Sequence, residues 1–121
     1  LVTGLDGNPD ILPTSNGVVV EELVNFAETT CNGAEALRAA GFAVTHAACI
    51  LFYGNPLAVQ ALQEASLQMV YLFQLGELLD LAAEEGTHPP KLVDLYRSFL
   101  SDPMRWQAAR GLVPVQAGGT R

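Results

Sequence analysis

Three short runs of apolar and β-branched residues, separated by stretches with helical spacing, constrain the fold of this chain more than any other feature. The runs are Val18–Val20, Ala43–Tyr53 and Gln68–Phe73, and the first is followed directly by two acidic residues, Glu21 and Glu22. Short runs that are apolar almost throughout are typical of parallel strands that are buried on both faces. Their alternation with helical patterns predicts an α/β fold with about three parallel strands, flanking helices and right-handed crossovers.

Four helices are predicted between and after these strands. The first begins with a capping box, Asn25 followed three residues later by Glu28, and ends at Gly41. Apolar residues at helical spacing predict three more, over residues 57–65, 75–85 and 92–100. Because parallel strands occur where both faces and most edges are covered, three of them make a thin sheet. The pattern therefore indicates part of a domain.

The composition of the chain excludes two classes of function. Thirteen acidic side chains against six basic ones give a net charge of −7, which argues against a nucleic-acid binder because phosphate contacts need clustered Lys and Arg. The longest apolar stretches, such as Ala47–Tyr53, are far shorter than the roughly 20 residues of a membrane span. We therefore expect neither a nucleic-acid partner nor a membrane span.

Turn-forming residues divide the chain into three parts. Residues 1–17 are rich in Gly, Pro, Asn and Ser without an apolar period, so they are predicted to form an N-terminal arm or loop. The α/β unit is predicted over residues 18–111, and residues 112–121 form a C-terminal tail.

The cysteines and histidines do not form a pattern that indicates catalysis or metal binding. Cys31 and Cys49 lack a Cys-x-x-Cys arrangement and are predicted to be core thiols, with a redox or nucleophilic role as the alternative. His46, in the second apolar run, is predicted to be a core or interface residue rather than a metal ligand, and His88 a turn residue. No metal site and no catalytic residue are predicted.

Several motifs follow one another in a fixed order. They are Val18-Val19-Val20-Glu21-Glu22-Leu23, Ala36-Leu37-Arg38-Ala39-Ala40-Gly41, Thr45-His46-Ala47, Phe52-Tyr53-Gly54, and the closing run from Phe99 to Gly111 with Asp102-Pro103 and Trp106. Together they resemble the second half of an orotate phosphoribosyltransferase, especially the type found in alphaproteobacteria. The resemblance covers about residues 18–111. It implies a partial phosphoribosyltransferase-type, Rossmann-like three-layer fold.

The resemblance places a functional loop directly after the first strand. In that family an acidic pair at the strand end holds the ribose hydroxyls of phosphoribosyl pyrophosphate, and the following loop cradles its 5′-phosphate. Glu21 and Glu22 match the acidic pair, and Ala27, Glu28 and Thr29 lie in the loop. An acidic pair at a strand exit can also be simply solvated or capping. Backbone N–H groups at a helix N-terminus bind anions, and glycine permits their close approach.

This loop departs from the family pattern at the residues that would contact phosphate. Residues 24–29 occupy the loop, and both the glycine and the early hydroxyl residues of the family pattern are missing from it. We expect Phe26 to crowd the phosphate position and the Glu28 carboxylate to repel the phosphate dianion. As part of a capping box, Glu28 would also satisfy a backbone donor that the loop otherwise offers to an anion. Glu21, Glu22, Ala27, Glu28 and Thr29 are therefore interpreted as a vestigial ribose and phosphate loop.

A second departure concerns length. The family's catalytic lysines, mobile active-site loop and orotate-contacting segment precede the strand that corresponds to Val18–Val20, where this chain has seventeen residues. The leading hypothesis is therefore a non-catalytic, phosphoribosyltransferase-like accessory or scaffold subunit of a larger assembly. It implies other protein subunits as partners, no cofactor and no small-molecule substrate. Alphaproteobacterial ancestry and the absence of an initiator methionine favour a mitochondrial complex, with the cytoplasm as the alternative.

The alternative hypothesis is an enzyme. In it, the chain is a genuine orotate phosphoribosyltransferase fragment, active in pyrimidine nucleotide biosynthesis, whose missing half is supplied by a second chain. This hypothesis implies Mg²⁺ and phosphoribosyl pyrophosphate at the Glu21–Thr29 loop. A third possibility, a small regulatory binder of nucleotides, also requires affinity for phosphate.

Overall fold

The computed structural model describes residues 15–112. Most of the predicted arm and tail, residues 1–14 and 113–121, lie outside the described residues, and their structures stay predictions. The elements in chain order are β1 (Asn16–Val24), α1 (Glu28–Ala39), β2 (Ala43–Phe52), α2 (Pro56–Glu64), β3 (Gln68–Gln74), α3 (Leu75–Glu85), α4 (Pro90–Ser101) and α5 (Pro103–Ala109). Strand β1 begins at Asn16, so two residues assigned to the arm belong to the sheet.

The three strands form one parallel sheet in the order β1-β2-β3. This arrangement confirms the predicted α/β class with three parallel strands and flanking helices. The register across the sheet centre pairs Val20 with Ala48 and Ala48 with Val70. It shifts between Gly17 and Val18, where β1 carries an irregularity. Because the strands are parallel, their carboxyl ends lie at one edge of the sheet, and the loops after β1 and β2 meet there.

The hydrophobic core lies between the sheet and helices α1 and α2. It contains buried residues from all of these elements, among them Val24, Ala34, Cys49, Phe52 and Leu62. Helix α1 presents Thr30 and Ala34 to this core, and α2 presents Ala58 and Leu62. Small residues dominate the buried positions of both helices, which lets the helix backbones approach the sheet closely.

The opposite side of the sheet is not covered within residues 15–112, so the prediction of strands covered on both faces is wrong for this part of the chain. Five aliphatic side chains of the three strands remain half or more exposed. They are Val18 (53%), Val20 (71%), Ile50 (51%), Val70 (53%) and Leu72 (72%), which together we call the open face. The run of apolar residues correctly marked the strands but did not reveal which element would cover each side.

The C-terminal helices extend from the end of β3. Helix α3 follows β3 directly and ends as predicted at Gly86, which adopts the left-handed conformation with φ 63°. The Phe99 ring of α4 meets the Trp106 indole of α5 edge-to-face at 5.5 Å and the Tyr53 ring at 6.4 Å. These ring contacts connect α4 and α5 to the exit of β2.

The cysteines and His88 lie where the sequence predicts, whereas His46 is not in the core. Both thiols are free, Cys31 half-buried and Cys49 buried, and His88 lies in the turn between α3 and α4. His46 is solvent-exposed in β2 on the uncovered side of the sheet, so a place in the core is wrong, and its alternative assignment to an interface stays a prediction. None of the helices within residues 15–112 combines the length and apolarity that a membrane crossing requires.

Candidate functional site

A cavity of about 520 Å³ opens at the carboxyl end of β1. Its lining is formed by Glu21, Glu22, Leu23, Val24, Asn25, Ala27, Glu28 and Thr29. All five residues that the sequence assigned to the ribose and phosphate loop are therefore brought together around one space. Phe26 is absent from this lining, which disagrees with the prediction that its ring crowds the site.

The backbone at Ala27 has an unusual conformation for a residue with a side chain. Ala27 has φ 64° and ψ 12°, in the left-handed region, and is 96% buried. This conformation costs an L-residue other than glycine about 1–2 kcal/mol. The turn that begins α1 is thus one for which glycine is the residue best suited. Ala27 keeps this geometry and adds a methyl group.

The predicted capping box does not form. Helix α1 begins at Glu28 after Ala27, and no side chain caps its first N–H groups. Ala27 has no side-chain acceptor, and Asn25 lies two residues too early, where its own oxygen atoms are hydrogen-bonded to Asn55. Glu28 does lie in the first turn, where its negative charge interacts favourably with the helix dipole. The N–H groups of the first turn of α1 therefore lack the predicted side-chain cap.

Thr30 holds Glu21 in place. The Thr30 hydroxyl donates a hydrogen bond of 2.9 Å to Oε2 of Glu21, and Thr30 is only 1% exposed. This bond orients one carboxylate of the acidic pair towards α1, whereas Glu22 is exposed. Sequence reasoning missed Thr30 because it sits nine residues away in the next element, and only the packing of α1 on β1 brings the two side chains together.

Asn55 connects the site loop to the neighbouring turn. Its side-chain nitrogen Nδ2 donates to the carbonyl oxygen of Asn25 at 2.7 Å and to Oδ1 of Asn25 at 3.1 Å, and its Oδ1 accepts the Ala58 N–H at 3.0 Å. Asn55 is completely buried. It therefore caps α2 and fixes the β1–α1 loop at the same time. Sequence reasoning missed Asn55, because residue types and their spacing do not reveal a hydrogen-bond partner 30 residues away.

Negative charge dominates the cavity. Three of its lining residues, Glu21, Glu22 and Glu28, are carboxylates, and the lining includes no Lys, Arg or His. Within residues 15–112, no group of three or more His, Cys, Asp or Glu side chains has an arrangement that could hold a metal ion. An anion in this cavity would be attracted by the N-terminus of α1 but repelled by the three carboxylates.

The negative charge near the cavity also affects the pKa values of the Cys31 and Cys49 thiols. Burial raises the pKa of the Cys31 thiol, and the negative charges of Glu35, Glu21 and Glu28 add to the rise, against a lowering by Arg38. Burial also raises the pKa of the Cys49 thiol, and Glu21 again contributes. Raised values keep both groups in the thiol form at neutral pH, which disfavours a nucleophilic role.

Comparison with known proteins agrees with the resemblance in the sequence. No family model matches the chain. The orotate phosphoribosyltransferase of Phocaeicola vulgatus is 28% identical over 101 residues, which cover 84% of this chain and 48% of that protein. The orotate phosphoribosyltransferase of Streptococcus pneumoniae serotype 19F is 32% identical over 90 residues, covering 74% of this chain and 43% of that protein. The chain is thus homologous to orotate phosphoribosyltransferases over most of its length.

The chain spans about half the length of the curated relatives that it matches. Among solved structures, orotate phosphoribosyltransferase from Aeropyrum pernix matches 59% of this chain and 42% of its own, with a TM-score of 0.54 and 22% identity. Leishmania donovani UMP synthase matches 69% of this chain and 18% of its own, with a TM-score of 0.58 and 24% identity. These structures show that the fold is of the phosphoribosyltransferase type. The assignment to an alphaproteobacterial type stays a prediction.

Proposed function

We propose that this chain is a non-catalytic, phosphoribosyltransferase-like accessory or scaffold subunit of a larger protein assembly. In this function the inherited α/β framework supports contact with other proteins, and the loop after β1 no longer binds a sugar phosphate. The location proposed with it is mitochondrial, with the cytoplasm as the alternative.

The observation that carries this proposal is the charge of the cavity. Phosphoribosyl pyrophosphate is a polyanion, and a pocket for it needs donors or cations around the phosphate groups. Here Glu28 stands in the first turn of α1, beside the position where such a phosphate would lie, and adds a third carboxylate to the pair, Glu21 and Glu22, that would contact ribose. In a partly desolvated cavity the Glu28 carboxylate opposes phosphate binding more strongly than it would in water.

Calorimetry with phosphoribosyl pyrophosphate and Mg²⁺ tests this function directly. We expect no heat of binding above that of the Glu21→Ala/Glu22→Ala variant, and no formation of orotidine monophosphate when orotate is added. Binding or turnover that exceeds the variant would overturn the proposal, because both would require a working Glu21–Thr29 loop.

Two substitutions on α1 that each remove one negative charge separate the role of Glu28 from a general effect of net charge. Glu28→Gln removes a carboxylate at the cavity, and Glu35→Gln removes one from the exposed part of the same helix. If like charge at the cavity is the obstacle, only Glu28→Gln should produce measurable affinity for inorganic phosphate. Equal affinity in both variants would contradict this explanation.

One observation favours a second function, an orotate phosphoribosyltransferase fragment completed by another chain. Ala27 keeps the left-handed backbone that a phosphate loop with glycine adopts, and the first turn of α1 has no side-chain cap. The relatives that cover most of this chain are orotate phosphoribosyltransferases, of which it spans about half. The calorimetric experiment bears on both functions, since only this second one requires the Glu21–Thr29 loop to bind phosphoribosyl pyrophosphate.

A further inference from the structure

We propose that the outer edge of β3 is a self-association surface, at which a second copy of this chain adds its own β3 in antiparallel orientation. The sheets of the two copies then join into one continuous sheet, related by a two-fold axis. This inference goes beyond the proposed function and does not depend on it, because it concerns neither the cavity after β1 nor a phosphate ligand.

The first argument is that the edge of β3 is unpaired. Within residues 15–112, β3 pairs with β2 alone, and no backbone hydrogen bond outside that pairing joins residues 69–73 to another element. Four consecutive side chains of the strand are also exposed: Val70 (53%), Tyr71 (38%), Leu72 (72%) and Phe73 (50%). Because neighbouring side chains of a strand point to opposite faces, both faces of the sheet are accessible at this edge. Such an edge is a template for pairing with another strand.

The second argument is the lack of features that protect an edge strand. Natural edge strands commonly carry a charged residue, a proline or a bulge that prevents pairing with another chain. Strand β3 contains no charged residue and no proline, and its pairing with β2 has no register shift. The nearest charged residues along the chain are Glu64 and Glu77. At the opposite edge, β1 carries Glu21 and Glu22 and an irregular register. A second copy can therefore approach β3 without bringing like charges together at the edge.

The third argument, which identifies the occupant, is that residue types in β3 are nearly the same in both directions of the strand. An antiparallel pair centred on Tyr71 places similar side chains opposite each other: Gln68 and Gln74, Met69 and Phe73, Val70 and Leu72, and Tyr71 and its own copy. A two-fold axis requires a surface that is complementary to itself. Cross-strand pairs of aromatic and aliphatic side chains stabilise antiparallel strands. The pattern therefore favours a second copy of this chain over an unrelated strand.

Sedimentation equilibrium of the full 121-residue chain measures this association. We expect a dimer that dissociates on dilution and no larger species, because antiparallel pairing uses the β3 edge of each copy once and closes the assembly. Each copy carries a net charge of −7, whereas β3 itself is uncharged. The dimer should therefore become tighter when added salt screens the repulsion between the copies.

A matched pair of variants shows whether association uses the edge of β3 or the open face. Leu72→Lys introduces a charge on β3, and Val20→Lys introduces the same charge on β1, on the same side of the sheet. The two native side chains are exposed to 72% and 71%, so circular dichroism should show both variants folded. We expect Leu72→Lys to weaken the dimer about tenfold or more, and Val20→Lys to associate like the unmodified chain.

A mixture of oppositely charged variants tests the register of the pair. Val70→Glu alone should weaken the dimer as Leu72→Lys does, because either homodimer brings two like charges close together on one face. In a mixture of these two variants, the introduced carboxylate and ammonium lie directly opposite each other across the antiparallel pair. The mixed dimer should therefore be about tenfold or more tighter than either homodimer. A mixture of Val70→Glu with Val20→Lys has the same total charge and should show no such gain.

Four results would overturn the inference. They are a chain that stays monomeric at every concentration, growth beyond a dimer, equal weakening by Leu72→Lys and Val20→Lys, and no gain in the mixture of Leu72→Lys with Val70→Glu. Equal weakening by the two lysine variants would show that the copies meet through the open face. The calorimetry with phosphoribosyl pyrophosphate reports on a different part of the chain, so failure of this inference can be told apart from failure of the proposed function.

Discussion

Asn55 donates a hydrogen bond of 2.7 Å to the carbonyl oxygen of Asn25 and thereby joins the turn after β2 to the loop after β1. The two residues are 30 positions apart, and Asn55 is completely buried. The conformation of the candidate site is therefore set partly from outside its own loop.

Substitution of Asn55 tests this connection. Asn55→Ala should lower the free energy of unfolding by about 3 kcal/mol, because it removes the cap of α2 and leaves the Asn25 carbonyl without its donor. Asn55→Asp keeps an oxygen that can accept the Ala58 N–H but removes the donor, so it should also destabilise. Urea denaturation measures both changes.

The N-cap of α5 provides a control for Asn55. The Asp102 side chain accepts the Arg105 N–H at an exposed position. Asp102→Asn should therefore be close to neutral, since Asn and Asp are similar N-caps. If Asn55→Asp were equally neutral, Asn55 would act as a cap alone and the connection to Asn25 would contribute nothing.

Thr30→Val should destabilise the chain by about 1 kcal/mol, because the isosteric side chain no longer donates to the partly buried Glu21 carboxylate. Thr30→Ser keeps the hydroxyl and should retain the hydrogen bond, although it loses a methyl group. A double-mutant cycle with Glu21→Ala, which removes the acceptor, isolates the interaction between the two side chains when each variant is measured by urea denaturation. A coupling energy of zero would mean that the bond adds no stability.

Ala27→Gly should be close to neutral, within about 0.5 kcal/mol, since relief of the left-handed strain offsets both the extra freedom that glycine gains in the unfolded chain and the loss of the buried methyl group. Ala36→Gly, in the middle of α1, is the matched control and should cost about 1 kcal/mol. Thermal unfolding followed by circular dichroism compares the two. A loss of stability as large in Ala27→Gly as in Ala36→Gly would contradict the left-handed conformation of Ala27.

The raised pKa values of Cys31 and Cys49 predict a loss of stability at alkaline pH. Both thiols have a pKa above the ordinary value of 9.0 in the folded chain, mainly because they are buried. As the pH rises past that value, the unfolded chain releases these protons first, so the free energy of unfolding falls. Urea denaturation between pH 8 and pH 10.5 should show a steeper decline for the native chain than for Cys31→Ala/Cys49→Ala. Parallel declines would exclude a contribution from the thiols.

Several features of the fold follow directly from local sequence. The three apolar runs become β1, β2 and β3, and Gly86 ends α3 in the left-handed conformation that its position predicts. The residues assigned to the ribose and phosphate loop do line one cavity. The predictions of the strands and of the end of α3 succeeded because strand content, helix spacing and glycine turns depend on neighbours in the chain. The role of the loop residues stays a prediction.

The failed predictions concern partners that are distant along the chain. A capping box at Asn25 and Glu28 fits the residue spacing, but Asn55 occupies the oxygen atoms of Asn25 and α1 starts later. His46 has an apolar neighbourhood in the sequence, yet it is exposed because nothing in residues 15–112 covers its side of the sheet. A local sequence pattern predicts the element in which a side chain lies, but it does not predict which groups pack against that side chain.

The amino-acid order alone determined the α/β class, the acidic character of the loop after β1 and the relationship to phosphoribosyltransferases, because each is written in residue types and their spacing. Tertiary structure decided that Thr30 orients Glu21, that Asn55 holds the loop, and that one face of the sheet stays open. The physical reason is that hydrogen bonding and burial depend on which atoms approach in space, and chain folding brings together groups that sequence separation keeps apart.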